Sequence, residues 1–155
     1  MNIEDLKKFL NMSKIKWSLH CFERMQERDI SRADVKNCIL NGKIIEDYPN
    51  DFPYPSCLIF GYTIKEKVIH VVAGSDGELI MCIYCKCKTM KKSTTTHVVN
   101  YNNCIIVIKN VPCEECEQCG EKYYTDEVAE QLERLVNSAK CLMQEISVID
   151  FNKAA

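Results

Sequence analysis

The sequence predicts an α+β protein with two domains that meet near Met81. Apolar residues recur at helical spacing near the N-terminus, whereas residues 43–84 form successive β-like runs. Cysteines are also unevenly distributed, because residues 1–80 contain three of the eleven and residues 81–141 contain the other eight. We therefore expect a two-helix and antiparallel-sheet domain over 1–80, followed over 81–155 by a cysteine-rich β-hairpin domain with a long C-terminal helix.

The first domain is predicted to have its helices before its strands. The residue patterns of segments 3–12 and 20–29 predict helices. Ser31 and Asp34 form a capping box, which predicts that a further helix begins there. Asn41-Gly42 is expected to end it. The β-like runs are 43–48, 56–64, 67–73 and 78–84. This order predicts an antiparallel sheet with two helices packed on one face.

The second domain is predicted to contain a β-hairpin. Segments 93–101 and 104–111 flank Asn102-Asn103, a pair that favours the tight turn of a hairpin. We expect Pro112 to end the second strand, because proline has no N–H to donate to a ladder.

A long helix is predicted to follow the hairpin. Thr125 is its N-cap, and the helix extends from about 126 to 145. Its apolar stripe consists of Val128, Leu132, Leu135, Ala139, Leu142 and Ile146. A heptad-like stripe of this kind would suit a dimer. Segment 146–151 is β-like and could add a strand to a sheet edge of this chain or of a partner.

Two C-x-x-C pairs give the strongest chemical signal. Cys82 and Cys85 form one pair, Cys116 and Cys119 form the other, and thirty residues separate them. A hairpin fits that gap and would bring four thiolates together, which is the tetrahedral set that zinc requires. Gly120 permits the positive φ of a tight knuckle. Four protein ligands leave no open position, so we predict a structural zinc ribbon whose metal stabilises the fold.

Other assignments of the cysteines remain open. Cys87 and Cys113 could each replace a predicted ligand, and His97 is a further candidate, although its mid-strand position favours a surface or core role. The alternatives to a metal site are buried thiols or a redox pair.

A basic stripe marks the second predicted helix. His20, Arg24 and Arg28 recur at steps of four and therefore share one face. Two arginines at this spacing repel each other, so an anion should compensate them. It could be a phosphate, or a protein carboxylate from among Asp34, Glu46 and Asp47.

The second domain resembles the zinc finger of bacterial antitoxins of the YgiT/MqsA type. The likeness extends over 81–150, with MCIYCK at 81–86 and VIKNVPCEECEQCGEKYYTDEVAEQLERLV at 107–136. In that family the first C-x-x-C follows the start methionine, the place that Met81 occupies here. The best-known members of the family continue into a DNA-binding helix-turn-helix. We see no such pattern after the finger in this sequence, so we do not expect operator binding.

Residues 16–80 resemble small H-x-x-x-R-M-x-x-R domains, which are related by pattern to BrnT and more distantly to RelE-like toxins. The likeness includes Met25, the stretch 42–48 and His70. It implies a metal-independent endoribonuclease, inhibited or degenerate in this fusion. Its catalytic residues would be His20 as acid or base, and Arg24 and Arg28 as a phosphate clamp.

Several other residues are alternative candidates for roles in RNA binding and cleavage. Lys43, Tyr62 and His70 could contribute, although the apolar strand around His70 favours a core position. Tyr48, Tyr54 and Phe60 could stack on bases, but core packing suits them better.

Composition limits the classes of function. The net charge of −2 argues against a protein that coats nucleic acid by bulk charge, and no apolar run is long enough for a membrane span. No secretory signal is visible and the cysteine count is odd, so we expect a cytoplasmic protein.

The charges of the two ends are complementary. Residues 1–43 carry nine basic and six acidic side chains, whereas 113–133 carry eight acidic and one basic. We predict a toxin–antitoxin fusion with an intramolecular or homodimeric contact between its halves, and RNA as a possible ligand of the first half. The alternative is a non-catalytic zinc-binding interaction or regulatory module.

Overall fold

A computed structural model describes residues 3–11, 15–51, 55–75, 89–142 and 144–154. The helices are α1 (Ile3–Asn11), α2 (Leu19–Glu27), α3 (Arg32–Asn41) and α4 (Asp126–Leu142). The strands are β1 (Lys16–Ser18), β2 (Lys43–Tyr48), β3 (Ser56–Tyr62), β4 (Val68–Gly74), β5 (Met90–Tyr101), β6 (Cys104–Cys116), β7 (Lys122–Thr125) and β8 (Ile146–Asp150), and a 3-10 turn spans Phe151–Lys153. The α+β class predicted from the sequence is confirmed.

The chain forms two compact units, and both are discontinuous in sequence. The first unit contains Met1–Ile15, Ser31–Met90 and Cys116–Cys119, and the second contains Lys16–Ile30, Lys91–Glu115 and Gly120–Ala155. The units therefore differ from the predicted ranges 1–80 and 81–155, because β1 and α2 group with the C-terminal strands. The division at Met81 stays a prediction about sequence domains, and Met81 and the predicted strand 78–84 lie outside the described residues.

In the first unit, β2, β3 and β4 form an antiparallel sheet with β3 in the centre. Helix α3 packs closely on β3, because a Cβ at Gly61 would lie 2.7 Å from Cys38 Sγ. Only glycine allows this approach of helix and sheet. The buried apolar residues of the unit in the described ranges are Leu6, Val35, Cys38, Ile39, Cys57, Ile59, Ile69 and Cys116.

The predicted capping box at the start of α3 is confirmed. Asp34 N donates to Ser31 Oγ over 3.0 Å, and Ser31 N donates to the Asp34 carboxylate over 2.9 Å. The helix ends at Asn41, and Gly42 N donates to Cys38 O over 2.8 Å. Both ends of α3 were therefore correctly predicted.

In the second unit, the strand order is β1-β7-β6-β5, and β8 pairs with β6 in parallel. The predicted hairpin is confirmed, with Asn102 and Asn103 at φ values of 44° and 65° in the turn between β5 and β6. The predicted C-terminal strand is confirmed as β8, which adds to the edge of β6 within this chain.

Pro112 does not end the second strand of the hairpin, as we had expected. Strand β6 continues through it to Cys116. The partner β8 lies along Ile105–Lys109 and the partner β7 lies along Glu114 and Glu115. Proline is tolerated here because it lies between the two spans, where that edge of β6 has no partner among the described strands.

The apolar stripe predicted for α4 is only partly correct. The buried residues are Ala129, Leu132, Val136 and Ala139. The helix ends at Leu142, which is 65% exposed, and Ile146 belongs to β8, where it is 63% exposed. A continuous heptad-like stripe through Ile146 is therefore absent, and with it the sequence argument for a helical dimer. None of the described helices is long and apolar enough to cross a membrane.

Candidate functional site

Helix α2 carries the predicted catalytic residues on its solvent side. Ser18 caps the helix by accepting a 3.2 Å hydrogen bond from Cys21 N. Its buried face consists of Phe22, Met25 and Gln26. His20 and Arg24 lie on the exposed face, and Arg28 follows as the C-cap residue. The predicted common face is thus present, with Arg28 just beyond the last helical residue.

His20 lines an open depression of about 340 Å³ in the second unit. The other lining residues are Leu19, Thr95, Thr96, Gly120, Glu121 and Lys122. Lys122 Nζ donates to Thr95 Oγ1 over 3.4 Å. The depression therefore combines an imidazole, a carboxylate, an ammonium group and two hydroxyls within a space of nucleotide size.

Two carboxylates lie in the electrostatic field of His20. Burial raises the pKa of Glu23, and a backbone hydrogen bond from Val98 and the charge of His20 oppose this shift. Burial also raises the pKa of Glu121, again opposed by His20. Carboxyl groups with raised pKa next to an imidazole are suited to proton transfer. Sequence reasoning missed both residues. Glu23 lies three residues after His20 on α2 and could have been found from helical spacing, whereas Glu121 is brought to His20 only by the fold.

The two arginines have different surroundings. Arg24 Nη1 lies 3.4 Å from Glu27 Oε2, in an exposed i, i+3 pair that contributes little to stability. Within the described ranges, Arg28 has no ion-pair partner. Arg24 therefore pairs with Glu27, a carboxylate that was not among the candidates named from the sequence.

Beneath α2, three polar side chains form a buried chain of hydrogen bonds. His97 Nε2 lies 2.6 Å from Gln26 Oε1, and Tyr124 OH lies 3.3 Å from His97 Nδ1. Burial lowers the pKa of His97 to about 4, so the ring is neutral at pH 7. The geometry suits a ring that donates from Nε2 and accepts at Nδ1. His97 is thus a core residue of this unit and supports α2 from below.

Lys140 of α4 fixes the C-terminal end of α2. Its Nζ donates to Gln26 O over 2.8 Å and to Asp29 Oδ1 over 2.6 Å, and it lies 3.9 Å from the centroid of the Tyr101 ring. Tyr101 OH donates to Asp29 Oδ2 over 2.7 Å. Residues from the antitoxin-like range therefore contact the segment that follows His20 and Arg24.

One of the two predicted zinc knuckles lies in the described part of the chain. Cys116 is buried at the end of β6, a turn covers 117–119, and Cys119 is exposed. Gly120 has φ of +76°, and Glu117 N donates to Thr89 O over 3.3 Å. This turn is consistent with the predicted knuckle.

The remaining cysteines give a less complete view of the predicted site. Cys82 and Cys85, as well as the rival Cys87, lie outside the described residues. Burial raises the pKa of Cys113, which favours its neutral thiol. In the described part of the chain, no group of three or more potential ligands is assembled. The four-cysteine site stays a prediction.

The alternative candidates Lys43, Tyr62 and His70 lie near one another on the sheet of the first unit. Lys43 and His70 are the direct cross-strand neighbours of Phe60, and Tyr62 lies two residues along β3. His70 is exposed, so the core position expected for it is wrong. Tyr62 is exposed as well, and Phe60 is half-buried. Tyr54 lies outside the described residues.

Comparison with known families gives one match. Residues 17–84 are similar to a family described as a domain of unknown function (DUF4258). The match includes all of α2 and the sheet of the first unit, and it extends across the predicted boundary to Tyr84. No curated protein and no solved structure matches the chain. The resemblances to YgiT/MqsA-type and BrnT/RelE-like proteins stay predictions.

Proposed function

We propose that this chain is a cytoplasmic toxin–antitoxin fusion, in which an RNase-like toxin fold over 1–80 is neutralised by a structural-zinc antitoxin module over 81–155. The observation that carries the proposal is the position of α2. This helix, with His20 and Arg24, lies in the same compact unit as the antitoxin-like strands and α4. A toxin whose catalytic helix is held by its antitoxin in the same chain would be inhibited without a separate partner.

Contacts within this unit support neutralisation in cis. Strand β1 pairs with β7, and Trp17 Nε1 donates to Asp126 Oδ1 over 2.9 Å. Lys16 forms an ion pair with Glu114, which joins the basic N-terminal range to the acidic one. The hydrogen bonds of Lys140 restrain the other end of α2. The segment that carries the catalytic candidates is therefore fixed at both ends.

The depression around His20 has the groups that RNA cleavage needs. The ribose 2′-oxygen attacks the adjacent phosphorus, a base removes the 2′ proton, and an acid protonates the departing 5′-oxygen. The products are a 2′,3′-cyclic phosphate and a free 5′-hydroxyl. His20 and the neighbouring carboxylate of Glu121 are suited to the two proton transfers, and Lys122 with Arg24 and Arg28 would stabilise the phosphorane.

Zinc would act structurally in this account. The ligands would be Cys82, Cys85, Cys116 and Cys119, and the described turn at Cys116 with the positive φ of Gly120 fits a knuckle. Because the metal would hold the end of β6, its removal should loosen the strands that restrain α2.

Cleavage of a labelled single-stranded RNA by the purified full chain tests the proposal. We expect slow cleavage by the intact chain, and faster cleavage after a zinc chelator has removed the metal. Cleavage should yield cyclic phosphate ends. His20→Ala should abolish it, and Arg24→Ala should lower it by at least tenfold.

A matched arginine variant distinguishes a role of the candidate site from a general effect of losing positive charge. Arg134 is an exposed helical arginine on α4 outside the depression, so Arg134→Ala should cleave like the parent chain. The proposal would be refuted if the parent chain cleaved no RNA either with or without its zinc, or if His20→Ala cleaved as fast as the parent chain.

A second candidate is a non-catalytic zinc-binding interaction or regulatory module. The observation that favours it is the pairing of Arg24 with Glu27, which satisfies this arginine without a phosphate. Both candidate functions require bound zinc, and metal analysis of the purified chain tests this requirement. We expect about one zinc per chain, loss of the metal in Cys119→Ser, and normal content in Cys141→Ser, whose exposed thiol lies on α4 outside the predicted set.

A further inference from the structure

One face of the sheet in the first unit is covered by helix α3 and the other presents rings to solvent. Cys57, Ile59 and Gly61 alternate along β3 on the covered face. Phe60 and Tyr62 lie on the opposite face, because successive residues of a strand point to opposite sides. We call this opposite side the open face.

Cross-strand pairing extends the open face over all three strands. Phe60 pairs with Lys43 on β2 and with His70 on β4, and Tyr62 pairs with Val68. Directly opposite residues of an antiparallel sheet share a face. Tyr62 is 49% exposed and Val68 is 55% exposed, so these side chains are accessible in the folded chain.

Three rings form a connected cluster on this face. The Phe60 centroid lies 5.5 Å from that of Tyr62 and 5.5 Å from that of His70, with interplanar angles of 77° and 65°. These contacts fix the orientation of each ring. An exposed, pre-oriented aromatic cluster on a sheet is the kind of surface on which unpaired bases stack.

Charge is unevenly distributed along the open face. Lys43 lies beside Phe60, and the turn after β3 contains Lys65 and Lys67 together with one acidic residue, Glu66; all four are exposed. At the other end of β2 the charge on this face is acidic, because Glu46 is exposed and pairs with Leu58. The aromatic cluster therefore lies at the basic end, where a phosphate backbone would be attracted.

From this arrangement we propose that the open face around Phe60, Tyr62 and His70 binds single-stranded RNA, with bases stacked on the rings and phosphates near Lys43. The surface is separate in sequence from the depression that contains His20. The choice of RNA over DNA rests on the proposed function, whereas the stacking of unpaired bases rests on the open face alone.

Binding is measured by fluorescence anisotropy with a fluorescein-labelled ten-nucleotide uridine RNA. The protein is the full chain carrying His20→Ala, so cleavage cannot confuse the signal. We expect saturable binding that weakens with salt. Tyr62→Leu and Phe60→Leu should each weaken binding about tenfold, because stacking on an aromatic ring is lost while apolar bulk is kept. Lys43→Gln should lower both the affinity and its salt dependence.

Leu40→Ala is the matched control for loss of an exposed apolar side chain. Leu40 is exposed on α3, the helix that covers the opposite face of the sheet, so its loss should leave affinity unchanged. Circular dichroism verifies that each variant is folded.

Three results would overturn the proposal. These are unchanged affinity in both Tyr62→Leu and Phe60→Leu, equal affinity for the matching DNA, and a concentration-dependent dimer that Tyr62→Leu dissociates. Binding by the His20→Ala chain would support it even if the parent chain cleaves no RNA, so the two proposals can fail separately.

Discussion

The open face of the first unit and the interior of the second unit each contain a strand histidine, in opposite surroundings. His70 lies among apolar neighbours in β4 and is exposed, whereas His97 follows a run of threonines in β5 and is fully buried. Local composition suggests the reverse. The difference arises because the face of β4 that carries His70 is uncovered, whereas Phe22 of α2 packs against His97. The centroids of these two rings are 5.7 Å apart.

This comparison shows that burial depends on what covers a sheet face. Alternation along a strand tells which residues share a face, but not which face receives a helix. In the second unit, the side chains of Gln26, His97 and Tyr124 are hydrogen-bonded in the interior, although Gln26 Nε2 has no hydrogen-bond partner among the described residues. In the first unit, the rings of Tyr62 and His70 on the open face are exposed. We therefore expect substitutions of the buried rings to change stability more than substitutions on the open face.

The largest expected effect is on the packing of Phe22. Phe22→Ala should lower the free energy of unfolding by about 3–5 kcal/mol, because a fully buried ring in contact with His97 and Tyr124 is lost. Urea denaturation followed by tryptophan fluorescence measures it, since Trp17 is the single tryptophan and is buried in the same unit.

Phe60→Ala is the matched change on the open face. It should lower the free energy of unfolding by only about 1–2 kcal/mol, because the Phe60 ring is half-buried. Equal losses in Phe22→Ala and Phe60→Ala would show that the open face is covered after all.

The next effect is a loss of stability in acid that originates at His97. Burial lowers the pKa of this ring from 6.5 to about 4, so the unfolded chain binds the proton more readily than the folded one. The stabilisation is complete above pH 6.5 and is lost as pH falls toward 4. Between pH 7 and pH 5 the free energy of unfolding should fall by about 2 kcal/mol from this residue.

Urea titrations at pH 7 and pH 5 measure this contribution as a difference between variants. His97→Gln should lack it, and His70→Gln should retain it, because His97 is unchanged in the second variant. Were both variants to behave alike, the contrast between the two histidines would not hold.

A smaller effect is expected at the helix cap of the first unit. Ser31→Ala removes the side chain that accepts from Asp34 N and should cost about 1 kcal/mol. Thermal unfolding followed by circular dichroism is the measurement. Ser138→Ala, on the exposed side of α4, is the control. It should lower the free energy of unfolding by less than half as much, because the Ser138 hydroxyl only donates to Arg134 O one turn earlier in the same helix.

Local features of this fold could be predicted from the sequence. The Ser31 capping box, the Asn102-Asn103 turn and the strand at the C-terminus depend on neighbouring residues, and all three are present. The exposed stripe of His20 and Arg24 followed from helical geometry alone. These features need no knowledge of distant partners.

Features that depend on distant contacts could not be predicted. The pairing of Trp17 with Tyr124, which draws α2 into the second unit, joins residues far apart in the chain. The position of Pro112 between two partner strands depends on the pairing of β6 with β7 and β8, and Glu121 comes near His20 only through the fold. Glu23 lies three residues after His20 on α2, so helical spacing alone could have identified it. Half of the predicted zinc site lies outside the described residues.

The central claim is that antitoxin-like residues restrain a catalytic helix, and release of that helix tests it most directly. Lys140→Met removes the hydrogen bonds to Gln26 O and Asp29 while keeping a long side chain. The measurement is growth and bulk RNA integrity in bacteria that express the full chain. Lys109→Met, on the exposed side of β6, is the control.

We predict that the parent chain and Lys109→Met permit growth, that Lys140→Met arrests growth with cleaved RNA, and that Lys140→Met combined with His20→Ala restores growth. A folded Lys140→Met chain that leaves growth and RNA unchanged would contradict the account, as would an arrest that persists without His20.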